Sequence, residues 1–369
     1  IKSRDEIMGF IGALYAIRFV LKYYDTGKLI HLGTASLAFF LALMSKETSV
    51  TFVAVVPLCM LFFRKWNWRK VSLGSFALIA GLIPYLALRI YYTGSGTAEI
   101  PDEIMNDPFL GASQAEKFAT ISYTWGIYLK LLVFPHPLTH DYYPYHIPII
   151  GWSDMRALIP LILHIIIAGL GVYFTFIKRK IYGFAILFYF ITFSIVSNVA
   201  FPIGTFMNER FMFVPSLAFA IIVVELIFSS KSFNSSTLTR KKALVVFLPI
   251  LLLFGIKTLS RNVAWKNDFT LTTTDALVST NSAKCLMAAG GSLTDEAVKL
   301  TKFKDRKQRA EYLALSEKYL TKSLKIYPSY LQSTMLLGIN QYHQGKFDRS
   351  LAYFENSLQI SHEDPLAKK

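Results

Sequence analysis

Apolar residues along the first 260 positions gather into long stretches, and the polar residues between them fall into short loops. Each stretch is close to the ~20 residues that an α-helix needs to cross about 30 Å of hydrocarbon. The pattern therefore predicts eight membrane-spanning helices, at positions 6–21, 29–44, 48–63, 71–92, 157–177, 181–197, 211–228 and 243–259.

A further apolar stretch, 118–134, lies inside the long loop 93–155 and is interrupted by a lysine. This loop carries two basic and seven acidic residues, so the positive-inside rule places both of its ends outside the membrane. A segment whose two ends lie on the same side is not a simple span. We expect an interfacial or re-entrant helix here, with Tyr123, Trp125 and Tyr128 at the level of the lipid headgroups.

Basic residues are concentrated in three loops, 64–70, 178–180 and 231–242, which together hold eleven Lys and Arg and no acidic residue. Loops of this composition face the cytoplasm. Alternation of the spans then determines which segments share the opposite, outer face. These segments are residues 1–5, the turn 45–47, the loop 198–210 and everything after 260.

The sequence after residue 260 has a different character, because it contains no stretch long enough to span a membrane. Residues 319–326 recur at 353–360, an offset of 34, which is the period of the tetratricopeptide repeat. Gly338 and Gly345 lie between the two copies, where a helical hairpin needs close packing and a turn. A generic helical hairpin is the alternative interpretation.

An earlier and weaker helix pair extends from 281 to 327, with Gly290 in the place of the later glycine and Pro328 just beyond its end. Such pairs bury their apolar faces only by stacking on one another. The sequence therefore predicts an all-α protein: a polytopic membrane helix bundle over 1–260, followed by an extracytoplasmic tetratricopeptide-repeat solenoid over 261–369.

Composition and charge support a membrane protein. Hydrophobic residues make up 53% of the chain and charged residues 17%, and the mean hydropathy is +0.40, which excludes a disordered chain or a coiled coil. The net charge of +15 lies in blocks between apolar stretches, so it indicates contact with membrane lipids and not with nucleic acid. The two cysteines are 226 positions apart, and no disulfide is expected.

Signatures of soluble enzymes are absent from the sequence, which leaves polar clusters at the predicted outer face as candidates. The first is residues 4–6, where Arg4 offers a guanidinium for a phosphate, although acids in a first helical turn are also ordinary. The second is Lys46 with Glu47. These are either a polar turn between two spans or a partly desolvated pair that binds phosphate or orients a base.

The third cluster is Glu209 with Arg210, of which only the arginine is needed as an interfacial anchor. The fourth is the loop 134–148, whose ligand-type side chains are His136, His140, Asp141 and His146. Prolines in this loop prevent the helical spacing that would align the histidines, so we favour an aromatic interfacial loop over a metal site and expect no metal or other cofactor.

Taken together, these stretches resemble the transmembrane O-mannosyltransferases that carry C-terminal tetratricopeptide repeats, within the GT-C class of glycosyltransferases. The resemblance rests on the order of several segments, none decisive alone. They are 3–7, 43–48, 128–138, 197–198, 209–211, 215–216 and 261–265.

The resemblance implies transfer of a sugar, with mannose expected, from a polyprenyl- or dolichyl-phosphate carrier to Ser or Thr hydroxyls of exported proteins that the repeats recruit. The membrane would be the bacterial inner membrane or that of the endoplasmic reticulum, with the repeats on the periplasmic or lumenal side. Seven residues are expected at the site: Arg4, Lys46 and Arg210 on the donor phosphate, Glu47 and Glu209 as orienting groups, and His140 and Asp141 on the acceptor side.

The same resemblance assigns no catalytic residue to this sequence. The acid held to be catalytic in the class lies in the first outer loop, upstream of the helix at which this sequence begins. We therefore expect the sequence, which begins with Ile1, to be a fragment that lacks an N-terminal span and that loop.

Two other classes remain open. A non-catalytic, membrane-anchored repeat scaffold would use the same spans and repeats without needing charged clusters at one face. A transporter or lipid flippase would place ionisable groups near the bilayer midplane. Arg18, Arg89 and Glu225 lie towards span ends and only His164 is moderately deep, so the transporter ranks last.

Overall fold

The computed structural model describes residues 4–94, 104–105, 107–228 and 238–363, and these ranges form fourteen α-helices with no β-strand. The first nine helices are α1 (Arg4–Thr26), α2 (Ile30–Ser45), α3 (Phe52–Phe63), α4 (Trp68–Thr93), α5 (Gln114–Val133), α6 (Met155–Val172), α7 (Ile181–Ser194), α8 (Ser216–Phe228) and α9 (Leu238–Ala264). The remaining five are α10 (Asp268–Ala276), α11 (Ala283–Lys299), α12 (Arg306–Ile326), α13 (Leu331–His343) and α14 (Phe347–Glu363).

The all-α fold class is confirmed, and each of the eight predicted apolar stretches overlaps an α-helix. Four helical segments are long and apolar enough to cross a membrane, namely Arg4–Thr26, Trp68–Thr93, Met155–Ile177 and Val245–Ala264. The other four apolar helical segments have between 10 and 17 residues. Most of the predicted basic loop 231–242 lies outside the described residues, and its last positions belong to α9.

One end of the bundle carries the two basic loops that the structure describes. Arg64, between α3 and α4, donates from Nε and Nη2 to the two carboxylate oxygens of Asp25 near the end of α1, at 2.6 and 2.7 Å. Phe63 packs edge-on against Phe184 in the first turn of α7, with ring centroids 5.0 Å apart. The loop between α6 and α7 therefore lies at the same end as the loop between α3 and α4.

The opposite end, here called the loop-rich end, carries the start of α1, the turn between α2 and α3, and the last turns of α4. Lys46 Nζ in that turn lies 2.8 Å from Asp5 Oδ2 on α1, and Glu47 is paired with Arg89 on α4. Segments of the chain that are about forty residues apart in sequence are thereby brought together at one end.

Close approach of α1 to α2 depends on small residues. A Cβ atom on Gly12 would lie 2.9 Å from the Cβ of Ala42, and one on Gly9 would lie 2.8 Å from the Cβ of Lys46. Small residues of this kind allow helix backbones to pack tightly within membranes. The glycine at position 9 lets α1 run directly beside Lys46, one turn after the acids of its first turn.

Helix α5 covers the apolar stretch for which an interfacial or re-entrant helix was predicted. Ser122 Oγ donates to a carbonyl oxygen in the first turn of α6 at 2.7 Å, and Trp125 Nε1 donates to the segment after α7 at 3.3 Å. Placing Tyr128 among lipid headgroups was wrong, because its side chain is only 1% exposed. It is buried in the protein, where its hydroxyl accepts from the backbone N–H of Asn208 at 2.9 Å.

Helices α11 to α14 form two antiparallel hairpins. In the first hairpin, a Cβ on Gly290 would lie 2.5 Å from Leu320 Cγ, and in the second, a Cβ on Gly338 would lie 2.9 Å from Phe354 Cε1. The two glycines therefore have the same packing role, and their partners are 34 positions apart in the sequence.

A serine in the second helix of each hairpin repeats the same hydrogen bond. Ser316 Oγ donates to the carbonyl oxygen of Gly290 at 2.8 Å, and Ser350 Oγ donates to that of Gly338 at 2.9 Å. Both serines are buried, and they too are 34 positions apart. The hairpins are therefore equivalent structural units, and their assignment as tetratricopeptide repeats remains a prediction.

Candidate functional site

The first polar cluster at the loop-rich end joins the start of α1 to Lys46. The ammonium lies 2.8 Å from Asp5 Oδ2 and 3.1 Å from Glu6 Oε1. These contacts raise the pKa of Lys46, although its partial burial acts in the opposite direction. The side chain of Glu6 is only 6% exposed, so this cluster places one acid inside the bundle end and one near its surface.

The predicted pair of Lys46 with Glu47 was wrong, because the structure gives each residue a different partner. Lys46 has φ −153° and ψ 122°, an extended conformation between α2 and the following 3₁₀ turn. Successive side chains on extended backbone point in opposite directions. Lys46 therefore contacts α1, whereas Glu47 pairs with Arg89 on α4 in an exposed ion pair.

A cleft lies directly beside the first cluster. Its polar lining consists of Glu6, Thr48, Ser49, Thr51 and Thr192, and its aromatic lining includes Phe10, Phe52 and Phe211. The cavity volume is about 20 Å³, which is room for one water-sized group. The lining comes from α1, the segment leading into α3, the end of α7 and the segment before α8. Of the residues in the sequence-predicted clusters, Glu6 alone lines the cleft, while Lys46–Glu47 and Glu209–Arg210 lie next to lining residues along the chain.

The second buried cluster fixes the loop before α6 to the segment before α8. Glu209 Oε1 accepts from the backbone N–H of Thr139 at 2.7 Å and from the hydroxyl of Tyr142 at 2.8 Å. Burial raises the pKa of Glu209, while these two hydrogen bonds partly offset that effect. Glu209 thus holds loop 139–142 in position. Its neighbour Arg210 points away and is exposed, with its guanidinium 5.4 Å from the ring of Phe211.

The same loop is fixed from the other side by the helices that follow α9. Asp275 on α10 has no exposed surface and accepts four hydrogen bonds. Arg261 donates to its two oxygens at 2.5 and 2.7 Å, and the backbone N–H and Nδ1–H of His140 donate to Oδ2 at 2.7 and 2.8 Å. Burial alone would raise the pKa of Asp275, but these bonds lower it to about 2.

Loop residues next to His140 extend this contact between the bundle and the helical hairpins. Ser279 Oγ donates to the carbonyl oxygen of Asp141 at 2.7 Å, and Lys284 Nζ lies 3.4 Å from the Asp141 carboxylate. The hydroxyl of Ser282 donates to the carbonyl oxygen of Tyr143. His140 and Asp141, predicted for the acceptor side, therefore attach the first hairpin to the loop-rich end.

The remaining predicted ligands lie apart. His136 is near Lys257 on α9, with Nδ1 and Nζ 3.1 Å apart, and burial lowers the pKa of His146. Within the described ranges, no three His, Cys, Asp or Glu side chains converge on a point where a metal ion would bind. Arg4 lies exposed in the first turn of α1, close in sequence to the cleft residue Glu6.

The sequence placed Arg89 towards the end of a span without assigning it to the site, and it did not point to Asp275. Asp275 lies in a polar stretch without any motif, and its partner His140 is 135 positions away. Arg261 gave a weak signal, because it begins the last of the segments that carried the family resemblance. His164, the deepest ionisable candidate, is satisfied, since its ring lies 2.8 Å from the Pro160 carbonyl oxygen and 3.0 Å from the Tyr189 hydroxyl.

These observations define a class: a polytopic, all-α membrane protein whose helical hairpins are attached to the same bundle end as its buried acids and a polar cleft. No family model matches the chain. Its sequence is nevertheless related to the protein O-mannosyl-transferases, which confirms the resemblance drawn from the motifs.

Protein O-mannosyl-transferase TMTC3 of Mus musculus is 27% identical over 181 residues, which cover 48% of this chain and 19% of the relative. Protein O-mannosyl-transferase F38B6.6 of Caenorhabditis elegans is 27% identical over 294 residues, covering 79% and 39%. Protein O-mannosyl-transferase TMTC1 of Mus musculus is 24% identical over 266 residues, covering 70% and 26%. The matched region thus spans well under half the length of each of these relatives.

Proposed function

We propose that this chain is part of a glycosyltransferase that moves a sugar, with mannose expected, from a polyprenyl- or dolichyl-phosphate carrier to Ser or Thr hydroxyls of exported proteins. The names of the relatives support the transferase class. The observation that carries the proposal is the cleft, because it joins polar groups from three separate segments at one end of an apolar bundle. A polyprenyl chain would lie in the bilayer and present its phosphosugar at such an end.

The proposed chemistry is displacement at the anomeric carbon. The acceptor oxygen forms a bond to that carbon, the bond between the carbon and the phosphate oxygen breaks, and polyprenyl phosphate leaves with the electron pair. A carboxylate must take the hydroxyl proton, and cations must stabilise the leaving phosphate. Arg4, Lys46 and Arg210 are the proposed cations. No residue of this chain is assigned as the base.

The proposed orienting groups have different surroundings. Glu47 pairs with Arg89 at the surface, so the two together would face a headgroup. Glu209 orients loop 139–142. In this loop His140 binds Asp275 on α10, and Asp141 contacts Lys284 at the start of the first hairpin. We place the hairpins on the lumenal or periplasmic side of the membrane, where they would recruit the acceptor protein, because stacked helical hairpins form concave surfaces for peptides.

The test is a transfer assay with the full-length protein in nanodiscs. Radiolabelled polyprenyl-phosphate-mannose is supplied with a panel of Ser/Thr-rich exported proteins. We expect Arg210→Ala to abolish label transfer while the protein still inserts normally. The matched control is Arg69→Ala, which removes an exposed arginine at the opposite end of the bundle and should leave transfer unchanged.

A membrane-anchored scaffold is the second candidate, because the hydrogen bonds from loop 139–143 to α10 and to the segment that leads into the first hairpin would serve it equally well. If no lipid-linked sugar supports transfer while the hairpins still capture exported partners, the scaffold is favoured. Transfer that persists in Arg210→Ala would remove this arginine from the site without affecting the transferase proposal.

A further inference from the structure

Glu6 is a buried carboxylate with unused hydrogen-bonding capacity. Its side chain is 6% exposed, and Lys46 Nζ lies 3.1 Å from Oε1. The same ammonium donates to Asp5 Oδ2 at 2.8 Å. A carboxylate offers about four lone-pair sites to donors, so one shared ammonium leaves acceptor capacity on Glu6. Such capacity on a buried residue that lines a cleft indicates a ligand.

Three of the four hydroxyl groups that line the cleft donate to backbone carbonyl groups. Ser49 Oγ donates to the carbonyl oxygen of Ala42 at 3.4 Å, Thr51 Oγ1 to that of Thr48 at 3.0 Å, and Thr192 Oγ1 to that of Phe188 at 2.7 Å. These three oxygens then have lone pairs to offer the cleft. Together with the carboxylate, they make most of the polar lining an acceptor surface.

An acceptor lining selects the chemistry of its ligand. A phosphate oxygen is itself an acceptor and would be repelled by the Glu6 carboxylate, whereas a hydroxyl group donates one hydrogen bond. The cavity of about 20 Å³ accommodates a single hydroxyl or hydroxymethyl group and not a whole hexose ring. Phe10 and Phe52, whose ring centroids are 6.1 Å apart, provide apolar surface for the C–H groups beside that hydroxyl.

We propose that Glu6 binds a hydroxyl group of the lipid-linked sugar, with this hydroxyl inserted into the cleft and its proton donated to the carboxylate. The inference rests on the proposed function and adds a sugar-binding residue to it. Lys46 separates the two halves of the donor: its ammonium is available to the phosphate at the surface side, where Asp5 lies, while Glu6 receives the sugar inside.

The experiment is a comparison of two lipids, polyprenyl-phosphate-mannose and sugarless polyprenyl phosphate, binding at equilibrium to the full-length protein in nanodiscs. The wild type should prefer the mannosylated lipid. Glu6→Gln replaces a charged acceptor by a neutral one, so it should weaken binding of the mannosylated lipid about tenfold and leave that of the sugarless lipid within about twofold. Glu6→Asp, which keeps the charge but withdraws it from the cleft, should lose the same preference.

The matched control is Asp25→Asn, which removes a carboxylate paired with a cation at the other end of α1 and should retain the wild-type preference. An unchanged preference in both Glu6 variants would overturn the inference, as would a wild type that binds both lipids equally. A variant that changes only the KM for the acceptor protein would also overturn it. These results are distinct from failure of the proposed function, in which the wild type transfers no label.

Discussion

Glu6 and Asp275 are both carboxylates with almost no exposed surface at the loop-rich end, yet their surroundings differ. Asp275 accepts two hydrogen bonds from Arg261 and two from His140. Among the described residues, the Glu6 side chain has one ion pair, with an ammonium that Asp5 also binds. A fully satisfied buried network stabilises one geometry, whereas unused capacity beside a cleft suits a ligand. Burial and charge alone would not have distinguished the structural role of Asp275 from the proposed ligand-binding role of Glu6.

The largest effect on stability is expected from removing the Asp275 carboxylate, which binds Arg261 and His140. Asp275→Ala leaves the half-buried Arg261 without its partner, and loss of one member of a buried ion pair costs about 3–5 kcal/mol. The hairpins should then separate from loop 139–143, which limited proteolysis and thermal unfolding would detect. Asp154→Asn is the control. It weakens an exposed aspartate–arginine pair, keeps the side-chain cap of α6, and should cost less than about 1 kcal/mol.

A somewhat smaller effect is expected at the cleft. Lys46→Met removes the one cation among the described residues that forms an ion pair with Glu6, so the free energy of unfolding should fall by about 2–3 kcal/mol. The double variant Lys46→Met with Glu6→Gln removes both charges and should recover most of that loss. If the double variant is as unstable as the single one, Lys46 contributes through packing and the buried charge of Glu6 is not the cause.

Asp275 and Glu209 should affect the pH dependence of stability in opposite directions. Asp275 has a pKa of about 2 in the folded protein against an ordinary value of 3.8, so it stabilises the fold by about 2 kcal/mol above pH 4. This contribution is lost as the pH falls from about 4 to 2. Glu209 has a raised pKa, so its contribution has the opposite sign and stability falls as the pH rises above its ordinary value of 4.5.

Thermal unfolding measured between pH 2 and pH 8 would check both effects: the loss of stability below pH 4, here called the acid limb, and the loss above pH 4.5. Glu209→Gln keeps an acceptor for Thr139 and Tyr142 but cannot ionise, so it should remove the loss of stability above pH 4.5. The acid limb should persist in this variant and disappear in Asp275→Asn. An acid limb that survives in Asp275→Asn would assign it to another carboxylate.

Much of the fold followed from the sequence, because a span is determined by a local run of apolar residues. The sites did not follow in the same way. The separation of Lys46 from Glu47 depends on the backbone dihedral angles of one residue between two helices, and no local pattern marks it. Asp275 binds a histidine 135 positions earlier, and this pair forms only because α10 packs against the loop before α6. The 34-residue offset in the sequence has a structural counterpart, because the packing contact of Leu320 with Gly290 recurs as that of Phe354 with Gly338.

The smallest structural effect is expected at the exposed pair of Glu47 and Arg89. Glu47→Gln should change the free energy of unfolding by less than about 1 kcal/mol, because both side chains are about half exposed. We nevertheless expect it to abolish transfer from polyprenyl-phosphate-mannose. Glu296→Gln, which breaks the exposed pair with Lys299 on the first hairpin, is the matched control and should retain transfer. Loss of transfer at unchanged stability would place Glu47 with Glu6 among the groups that meet the ligand, whereas full transfer would leave it a surface ion pair.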